Sequence, residues 1–219
     1  SHAVPVDLTP ALLSSAETLS VLPGFVATRQ PLPASIMPTA LAVRKDGSVA
    51  FTSLRGHVWI ATDSNNDGLL DNATRFAEGL ASPYGIVLDE DSVIVSHKPE
   101  VVRLRDTDSD GKADAFHVIA SGWGYSDDYH DWTSGLVRSR SGSLYAGLGS
   151  DYSQNQRPND NDRWRGTVLK IDGDGSIQPV AYSLRFPMGL AFDRDEHLFV
   201  TDNQGVQNTF NFRGTAFSV

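Results

Sequence analysis

Two short stretches with alternating oxygen-bearing side chains carry the clearest chemistry in this sequence of 219 residues. They are DSNNDGLLD at residues 63–71 and DTDSDGKAD at residues 106–114. The side chains at positions one, three, five and nine are Asp63, Asn65, Asp67 and Asp71 in the first stretch and Asp106, Asp108, Asp110 and Asp114 in the second. A glycine at position six permits the sharp bend by which such a loop wraps a hard cation. The spacing therefore predicts two cation sites, with calcium as the expected ion.

Both stretches lack the glutamate that closes a full calcium loop, because Thr74 and His117 stand at position twelve. Asp and Asn at a turn also accept hydrogen bonds from their own backbone, so a hairpin turn without metal is the alternative interpretation. A bound ion would offset the repulsion among clustered carboxylates and clamp the hairpin, which indicates a structural role. The shorter DGDG at residues 172–175 is interpreted as a turn only.

Composition narrows the class of protein. The 19 Gly and 11 Pro, with few helical runs, predict a turn-rich all-β protein. The net charge of −9 disfavours nucleic acid and anionic membranes as partners, because such surfaces repel an acidic protein. No apolar run approaches the roughly 20 residues of a membrane span. Without cysteine, the chain can form no disulfide and no thiolate site.

An internal repeat is the strongest structural signal. Similar segments, each with two apolar strands around a polar turn, begin at Pro38, Pro83, Thr133 and Pro187, about 45 to 54 residues apart. Three of them continue into a third and a fourth strand, which is the pattern of propeller blades. The sequence therefore predicts an all-β propeller of four-stranded antiparallel blades, three complete and one partial. The expected blades cover about residues 37–81, 82–132, 133–185 and, incomplete, 186–219. An eight-strand sandwich would also contain short strands, but it does not explain why the same phrase recurs.

The two ends of the chain depart from the repeat. Residues 1–20 are interpreted as a surface leader with one short helical turn in ALLSSAETL, followed by one extended strand between Val21 and Pro33. The tail after Asp202 shows no convincing third or fourth strand. Three full blades and a part cannot close a ring. We therefore expect either a longer propeller with further C-terminal blades or self-association with a second copy or partner. The strand near Phe25 would then serve as the outer strand of the last blade.

Blade topology separates two faces. Successive connections of an antiparallel meander alternate between its ends, so the carboxylate stretches share one face. The connections between the second and third strands, and between blades, share the other. That second face receives the long segments 122–132 and 147–165 together with Arg185. A catalytic or binding site is expected there.

At these residues the chain resembles a known family. The phrases are LPGF at residue 22, DTDSDGKAD, His130 shortly before SGLVRSRSGSLYAGLGS, GTVLKIDGDGSI, and LRFPMGLAFDRDEHLFVTDNQG ending at Gly205. Over residues 22–208 it resembles the six-bladed quinoprotein (PQQ) glucose and sorbosone dehydrogenases, in their secreted membrane-bound-dehydrogenase-like branch. The chain would cover about the first half of such a propeller. The resemblance also implies a secreted or periplasmic location.

The resemblance implies roles for four residues. His130 would be the general base that takes a proton from a sugar hydroxyl while hydride passes to PQQ. Arg185 would contact the quinone, and Gln204 and Gly205 would lie near the cofactor and its calcium. Phe186 departs from the family pattern of Arg-Asn-Pro and removes a polar partner.

Each of these roles has a simpler alternative. His130 could be an ordinary surface histidine, since Asp127, Asp128 and Asp131 would favour its charged form and weaken it as a base. Arg185 could make a contact between blades. The remaining aromatic residues could form a wall that stacks on sugar rings or could fill the seams between blades; they are Trp123, Tyr125, Tyr129, Trp132 and Trp164.

Three functions stay open from the sequence. The first is a dehydrogenase that oxidises a sugar or alcohol hydroxyl with PQQ. The second is a non-catalytic, calcium-stabilised propeller that binds a carbohydrate or a protein. The third is a structural module that assembles with itself through an exposed strand edge.

Overall fold

A computed structural model describes residues 17–125, 131–150, 164–203 and 216–218. Its strands are β1 (Glu17–Leu19), β2 (Ala27–Arg29), β3 (Pro38–Val43), β4 (Val49–Ser53), β5 (His57–Thr62), β6 (Asn72–Ala77), β7 (Gly85–Leu88), β8 (Val93–His97), β9 (Glu100–Arg105), β10 (Ala115–Ser121), β11 (Thr133–Arg138), β12 (Leu144–Leu148), β13 (Thr167–Ile171), β14 (Ile177–Ala181), β15 (Pro187–Phe192), β16 (Leu198–Asp202) and β17 (Ala216–Ser218). One short 3-10 helix spans Ala34–Ile36. No helix within the described ranges is long and apolar enough to cross a membrane.

The strands form successive antiparallel meanders. Blade one is β3 to β6, blade two is β7 to β10 and blade three is β11 to β14, each in sequence order. Blade four contains β15, β16 and β17. This arrangement confirms the predicted fold class of a propeller with three complete blades and one partial blade. The sequence prediction missed β17, whose Ala216 pairs with Thr201, because a strand of three residues shows no alternating pattern.

The N-terminal residues differ from the prediction. Glu17–Leu19 was included in a possible helical turn but forms β1, which pairs with β2. The extended strand predicted across Val21–Pro33 is limited to Ala27–Arg29. The reason is a turn at Pro23 and Gly24, where the Phe25 amide donates to the Leu22 carbonyl at 3.2 Å.

The first strand of each blade is the inner strand of the array. β3 contacts β7, β7 contacts β11, and β11 contacts β15. Hydroxyl groups bridge these blade boundaries: Thr39 Oγ1 donates to the Pro83 carbonyl at 2.6 Å, and Ser134 Oγ donates to the Pro187 carbonyl at 2.6 Å. Each bond satisfies a polar group inside a tightly packed seam.

Glycine makes this close approach possible. A Cβ added to Gly147 would lie 2.3 Å from the Pro187 carbonyl oxygen, and one added to Gly85 would lie 2.7 Å from the backbone carbonyl carbon of Gly135 in blade three. Gly147 and Pro187 belong to adjacent blades, so a side chain at this position would push blades three and four apart.

Apolar side chains fill the seams between the sheets. Val58 of blade one packs with Val95 and Leu104 of blade two. Ile94 and Val101 of blade two pack with Leu148 of blade three. All residues of β8 are buried, because a blade lies on each of its two sides.

Ion pairs join neighbouring blades at the turns between their first and second strands. Lys45 lies 3.7 Å from Glu90, and Arg140 lies 3.6 Å from Glu196. Asp89 pairs with Arg138 of the next blade and with Arg103 at 3.4 Å. Partial burial acts to raise the pKa of Asp89, but the hydrogen bond and charge of Arg138 outweigh it, and the pKa lies below its usual value of 3.8.

The Asp89→Asn variant should lose stability in a pH-dependent way. A carboxylate with a lowered pKa stabilises the fold above its unfolded pKa of about 3.9, and the contribution disappears as pH falls through the folded pKa. We expect a loss of about 1 kcal/mol in the free energy of unfolding at pH 7. Urea unfolding should show that loss shrinking below pH 4. The control is Asp91→Asn in the same turn, which removes only a solvent-exposed pair with Arg105 at 3.2 Å and should change stability little. An equal loss for Asp89→Asn at pH 7 and pH 3 would contradict the ion-pair explanation.

Candidate functional site

The antiparallel order places the connections on two opposite faces. We call the face with the turns between first and second strands, and between third and fourth strands, the turn face. The loop face has the connections between second and third strands and between blades. Both carboxylate stretches join a third to a fourth strand, so they lie on the turn face. Arg185 precedes β15 and lies on the loop face.

The first carboxylate loop is organised around Asp63. Its carboxylate accepts backbone hydrogen bonds from Gly68 at 2.8 Å and from Asp67 at 3.2 Å. Asn65 Nδ2 donates to Asp67 Oδ2 at 3.2 Å. Asp71 turns to the base of the loop, where it accepts bonds from the Ser64 amide at 2.8 Å and the Ser64 hydroxyl at 2.7 Å. The hydroxyl bond from Ser64 lowers the pKa of Asp71.

The second loop repeats this geometry. Asp106 accepts the Gly111 amide at 2.9 Å, and Asp114 accepts the Thr107 hydroxyl at 2.6 Å. The Thr107 hydroxyl is the main cause of the lowered pKa of Asp114. Carboxylate oxygens of Asp106, Asp108 and Asp110 lie within 4.8 Å of one another. This all-oxygen group suits a hard cation, whereas the oxygens of Asp114 face the loop base.

A third group of possible ligands was missed in the sequence. Asp193, Asp195 and His197 bring three ligand atoms within 4.8 Å in the turn between β15 and β16. Asp193 Oδ2 lies 2.9 Å from His197 Nδ1, and this bond is the main cause of the lowered pKa of Asp193. The alternation of acidic residues and histidine in DRDEH was the available signal.

An open cleft of about 820 Å³ lies beside the second loop. Its lining includes Asp89, Asp106 and Arg138. Asp89 and Arg138 already neutralise each other there. The lining also includes Arg44, Lys45, Asp46, Glu90 and Asp91, so charged groups of both signs surround the cleft.

On the loop face, Asp202 fixes the backbone around Arg185. The carboxylate of Asp202 accepts the Arg185 amide at 3.1 and 3.0 Å and the Phe186 amide at 2.6 Å. The Arg185 carbonyl in turn accepts the Ser150 amide at 2.7 Å. These bonds set the direction in which the chain enters β15. His130, Gln204 and Gly205 lie outside the described residues, so their positions relative to Arg185 stay predictions.

In blades one and two, the segment before the first strand is held in a similar way. In blade two, His97 at the end of the second strand accepts the Ala81 amide on Nδ1 at 3.2 Å. Its Nε2 lies 3.4 Å from Glu100 Oε1. Burial lowers the pKa of His97, although Glu100 acts in the opposite direction. In blade one, the Ser53 hydroxyl donates to the Ile36 carbonyl. A side chain at the end of the second strand thus holds the segment before the first strand.

Three aromatic rings form a row on the loop face, which we call the aromatic row: Tyr84, Trp132 and Phe186. The Tyr84 and Trp132 rings stack with centroids 4.6 Å apart and planes at 23°. Trp132 and Phe186 meet edge to face at 5.3 Å. Partial burial raises the pKa of Tyr84. Each ring stands at the start of an inner strand in blades two, three and four, so the row follows the inner strands.

The structure divides the aromatic residues that the sequence grouped together. Trp123 is fully buried in the seam between blades two and three, and its Nε1 donates to Thr133 Oγ1 at 3.1 Å. Trp164 packs against the same cluster. Tyr125 is exposed, and Tyr129 lies outside the described residues. Tyr84 and Phe186 were not predicted as site residues. In the sequence, each of these two residues lies directly beside the proline at the start of an inner strand.

A buried ion pair ties two loop-face segments together. Asp131 pairs with Arg165, and both side chains are largely buried. Arg165 also donates to the Gly124 carbonyl. The negative charge of Asp131 is therefore offset by a guanidinium, which reduces its expected effect on the neighbouring His130.

Comparison with solved structures identifies proteins of the same fold. The PQQ domain of pyranose dehydrogenase from Coprinopsis cinerea matches with a TM-score of 0.63 and 16% identity, over 97% of this chain and 52% of that chain. The PQQ-bound aldose sugar dehydrogenase from Streptomyces coelicolor matches with a TM-score of 0.60 and 18% identity, over 89% of this chain and 62% of that chain. A calcium structure of a family AA12 enzyme from Trichoderma reesei matches with a TM-score of 0.62 and 13% identity, over 90% and 50%.

At these identities the likeness shows the fold alone, and this chain spans about half to three fifths of the propellers that it matches. No curated protein matches it. The family model described as "Domain of unknown function (DUF7133)" matches residues 37–218. That match covers all four blades, and the chain belongs to this DUF7133 family.

Proposed function

We propose that the protein is a quinoprotein-like propeller that oxidises a sugar or alcohol hydroxyl on its loop face. The observation that carries the proposal is the aromatic row, which ends at Phe186 directly beside Arg185. Two similar structures, from Coprinopsis cinerea and Streptomyces coelicolor, are described as a PQQ domain and a PQQ-bound form, which supports the same cofactor class here.

The loop-face residues fit the chemistry of PQQ. The cofactor is a flat, anionic quinone that accepts a hydride when bound. Aromatic faces suit its planar rings, and the Arg185 guanidinium suits its carboxylates. Phe186, which replaces a polar residue of the family pattern, is itself buried and supports the Trp132 ring by packing edge to face against it. Gln204 and Gly205 are proposed to complete this cofactor site.

His130 is the proposed general base. A neutral imidazole can accept the hydroxyl proton of the substrate near neutral pH. The Asp131–Arg165 pair supports this role, because the closest acidic neighbour of His130 in sequence is already neutralised. Asp202 acts one step away as a positioning residue, since it holds the backbone of Arg185 and Phe186.

We further propose that the two carboxylate loops bind calcium in a structural role. The clustered oxygens of Asp106, Asp108 and Asp110 support this, and the calcium structure of the AA12 enzyme supports calcium in proteins of this fold. The loops lie on the face opposite to Arg185, so the ion would fix a hairpin and take no part in oxidation. Secretion or a periplasmic location is proposed from the family resemblance.

A non-catalytic propeller that binds a carbohydrate is the second candidate. Phe186 favours it, because the polar partner expected beside the quinone is missing. The same aromatic row would then stack on the C–H faces of a sugar.

PQQ titration should separate the two candidates. We expect PQQ to quench tryptophan fluorescence through Trp132 and to support dye reduction with aldoses. Arg185→Gln should weaken PQQ binding about tenfold, which corresponds to about 1.4 kcal/mol. The control is Arg194→Gln, an exposed arginine on the turn face. Sugar binding without any response to PQQ would favour the non-catalytic function, and equal PQQ binding by Arg185→Gln and the control would contradict the proposed cofactor site.

Calcium should stabilise the fold through the carboxylate loops. At about 100 times the dissociation constant, one site adds about 2.7 kcal/mol, or a rise in Tm of about 5–10 °C. In the double variant Asp106→Asn and Asp110→Asn, the calcium-induced rise in Tm should be smaller by the contribution of the second loop. Asp174→Asn, in the short turn of blade three, is the control and should keep the full rise. An unchanged Tm in calcium and in EDTA would show that the loops are turns without metal.

A further inference from the structure

His97 is a buried titratable side chain that has no part in the proposed oxidation. Its side chain is 7% exposed, and its Nδ1 accepts the backbone amide of Ala81 at 3.2 Å. A ring nitrogen that accepts a hydrogen bond carries no proton, so this imidazole is neutral and its proton is on Nε2. Nε2 is buried and lies 3.4 Å from Glu100 Oε1, outside good hydrogen-bond geometry. The bond to Ala81 therefore depends on the protonation state of a single ring.

The backbone that His97 holds continues into a strained turn. Ser82 has a φ of 49°, in the left-handed region that residues with a side chain adopt at a cost. Such a conformation persists only where neighbouring contacts hold it. Beside the His97 bond, the Ala81 carbonyl accepts the Lys98 amide at 2.8 Å, and the Pro83 carbonyl accepts Thr39 Oγ1 at 2.6 Å. Ser82 is thus fixed by bonds on both of its sides.

This turn carries Tyr84 to the loop face. Tyr84 follows Ser82 by two residues, and its amide donates to the Ser96 carbonyl at 3.1 Å. It forms a parallel bridge with Ser134 of blade three. Its ring stacks on Trp132 with centroids 4.6 Å apart, which is the first contact of the aromatic row. The position of the Tyr84 ring therefore depends on the turn that His97 helps to hold.

One charged group of the described residues faces the His97 ring: Glu100, at the start of β9. Of the other elements packed around the ring, β7 contains no titratable side chain. Glu78, earlier in the segment before β7, pairs with Arg75 at 2.9 Å, and Asp131 before β11 pairs with Arg165. The remaining charged side chains are Lys98, next to His97 in the chain, and Arg103, Arg105 and Arg138, toward the turn-face ends of β9 and β11.

We propose that His97 is a positioning residue for the aromatic row and holds it only while its imidazole is neutral, which makes the loop face acid-sensitive. A proton on Nδ1 replaces the acceptor with a donor that faces the Ala81 amide, so the bond between them breaks. The imidazolium is attracted to Glu100, the strained turn at Ser82 relaxes, and Tyr84 moves away from Trp132. An effect on PQQ or sugar binding rests on the proposed function, whereas the loss of the ring contact does not.

The direction of the pH dependence follows from the surroundings of the ring. Burial lowers the pKa of His97 below its ordinary value of 6.5, and Glu100 acts in the opposite direction. A buried histidine of this kind contributes stability that is present above the unfolded pKa of about 6.5 and is lost as pH falls through the lower folded pKa. The change in the aromatic row is therefore expected in mildly acidic solution, below about pH 6.5.

Fluorine NMR of the protein labelled with fluorotryptophan tests the proposal. The chain has four tryptophans, and the resonance of Trp132 is assigned by its absence in Trp132→Phe. Spectra are recorded from about pH 8 to about pH 5 for three further variants. His97→Asn keeps a side-chain oxygen near the place of Nδ1 but does not titrate, and His97→Leu removes the acceptor. His117→Asn, at an exposed histidine of β10, is the control.

In the unsubstituted protein and in His117→Asn, we expect the Trp132 resonance to shift reversibly as pH falls below about 6.5. In His97→Asn it should keep its neutral-pH position throughout, and in His97→Leu it should have the acid position at every pH. The comparison with His97→Asn is sufficient if His97→Leu does not fold. These results would support the proposal even if PQQ bound at no pH, an outcome that would contradict only the proposed function.

Three results would overturn the proposal. The first is a Trp132 resonance that does not change with pH in the unsubstituted protein. The second is an equal shift in His97→Asn, because another titrating group would then be its cause. The third is loss of the strand signal in far-UV circular dichroism over the same pH range, which would show that the blades unfold as a whole.

Discussion

The close approach of neighbouring blades around their inner strands is the constraint on which the rest of the structure depends. At the boundary between blades three and four, Gly147 leaves no room for a Cβ beside the Pro187 carbonyl, and Ser134 donates a hydroxyl to that same carbonyl. Backbone contact of this kind fixes the distance and angle between blades more tightly than flexible side chains could. The apolar seams and the ion pairs of the turn face then add stability around a spacing that is already set.

The spacing of the blades also sets the geometry of the loop face. The aromatic row begins where the inner strands begin, so the separation of its rings follows from the separation of the blades. Asp202 and His97 hold the backbone segments that lead into two of these strands. The carboxylate loops, although they are the most conspicuous chemical signal in the sequence, lie at the opposite ends of the blades. They can stabilise a hairpin at a distance from the loop face.

The sequence was sufficient for the blades because each carries two strong local signals: alternation in the strands and polar turns with Asp or Gly between them. It failed for β17 and for the β1–β2 hairpin, where strands of three residues are too short to alternate visibly. It singled out Arg185 and the eight loop residues through motifs, and their roles in a site stay predictions. Tyr84 and Phe186 belong to no sequence motif. They come close to Trp132 only because consecutive blades pack against each other. For Trp123 the sequence left two roles open, a binding wall or a filled seam between blades, because residue type alone does not distinguish them.

Urea unfolding of Gly147→Ala tests the central role of the close contact between blades most directly, because Gly147 in β12 faces the start of the inner strand β15. The added methyl group must displace backbone of blade four, so we predict a loss of about 1–3 kcal/mol in the free energy of unfolding. Gly173→Ala is the matched control, since a Cβ at that position meets nothing within 4 Å, and it should stay within about 0.5 kcal/mol of the unsubstituted protein. Equal stability of the two variants would contradict the claim that close backbone contact between blades sets their arrangement.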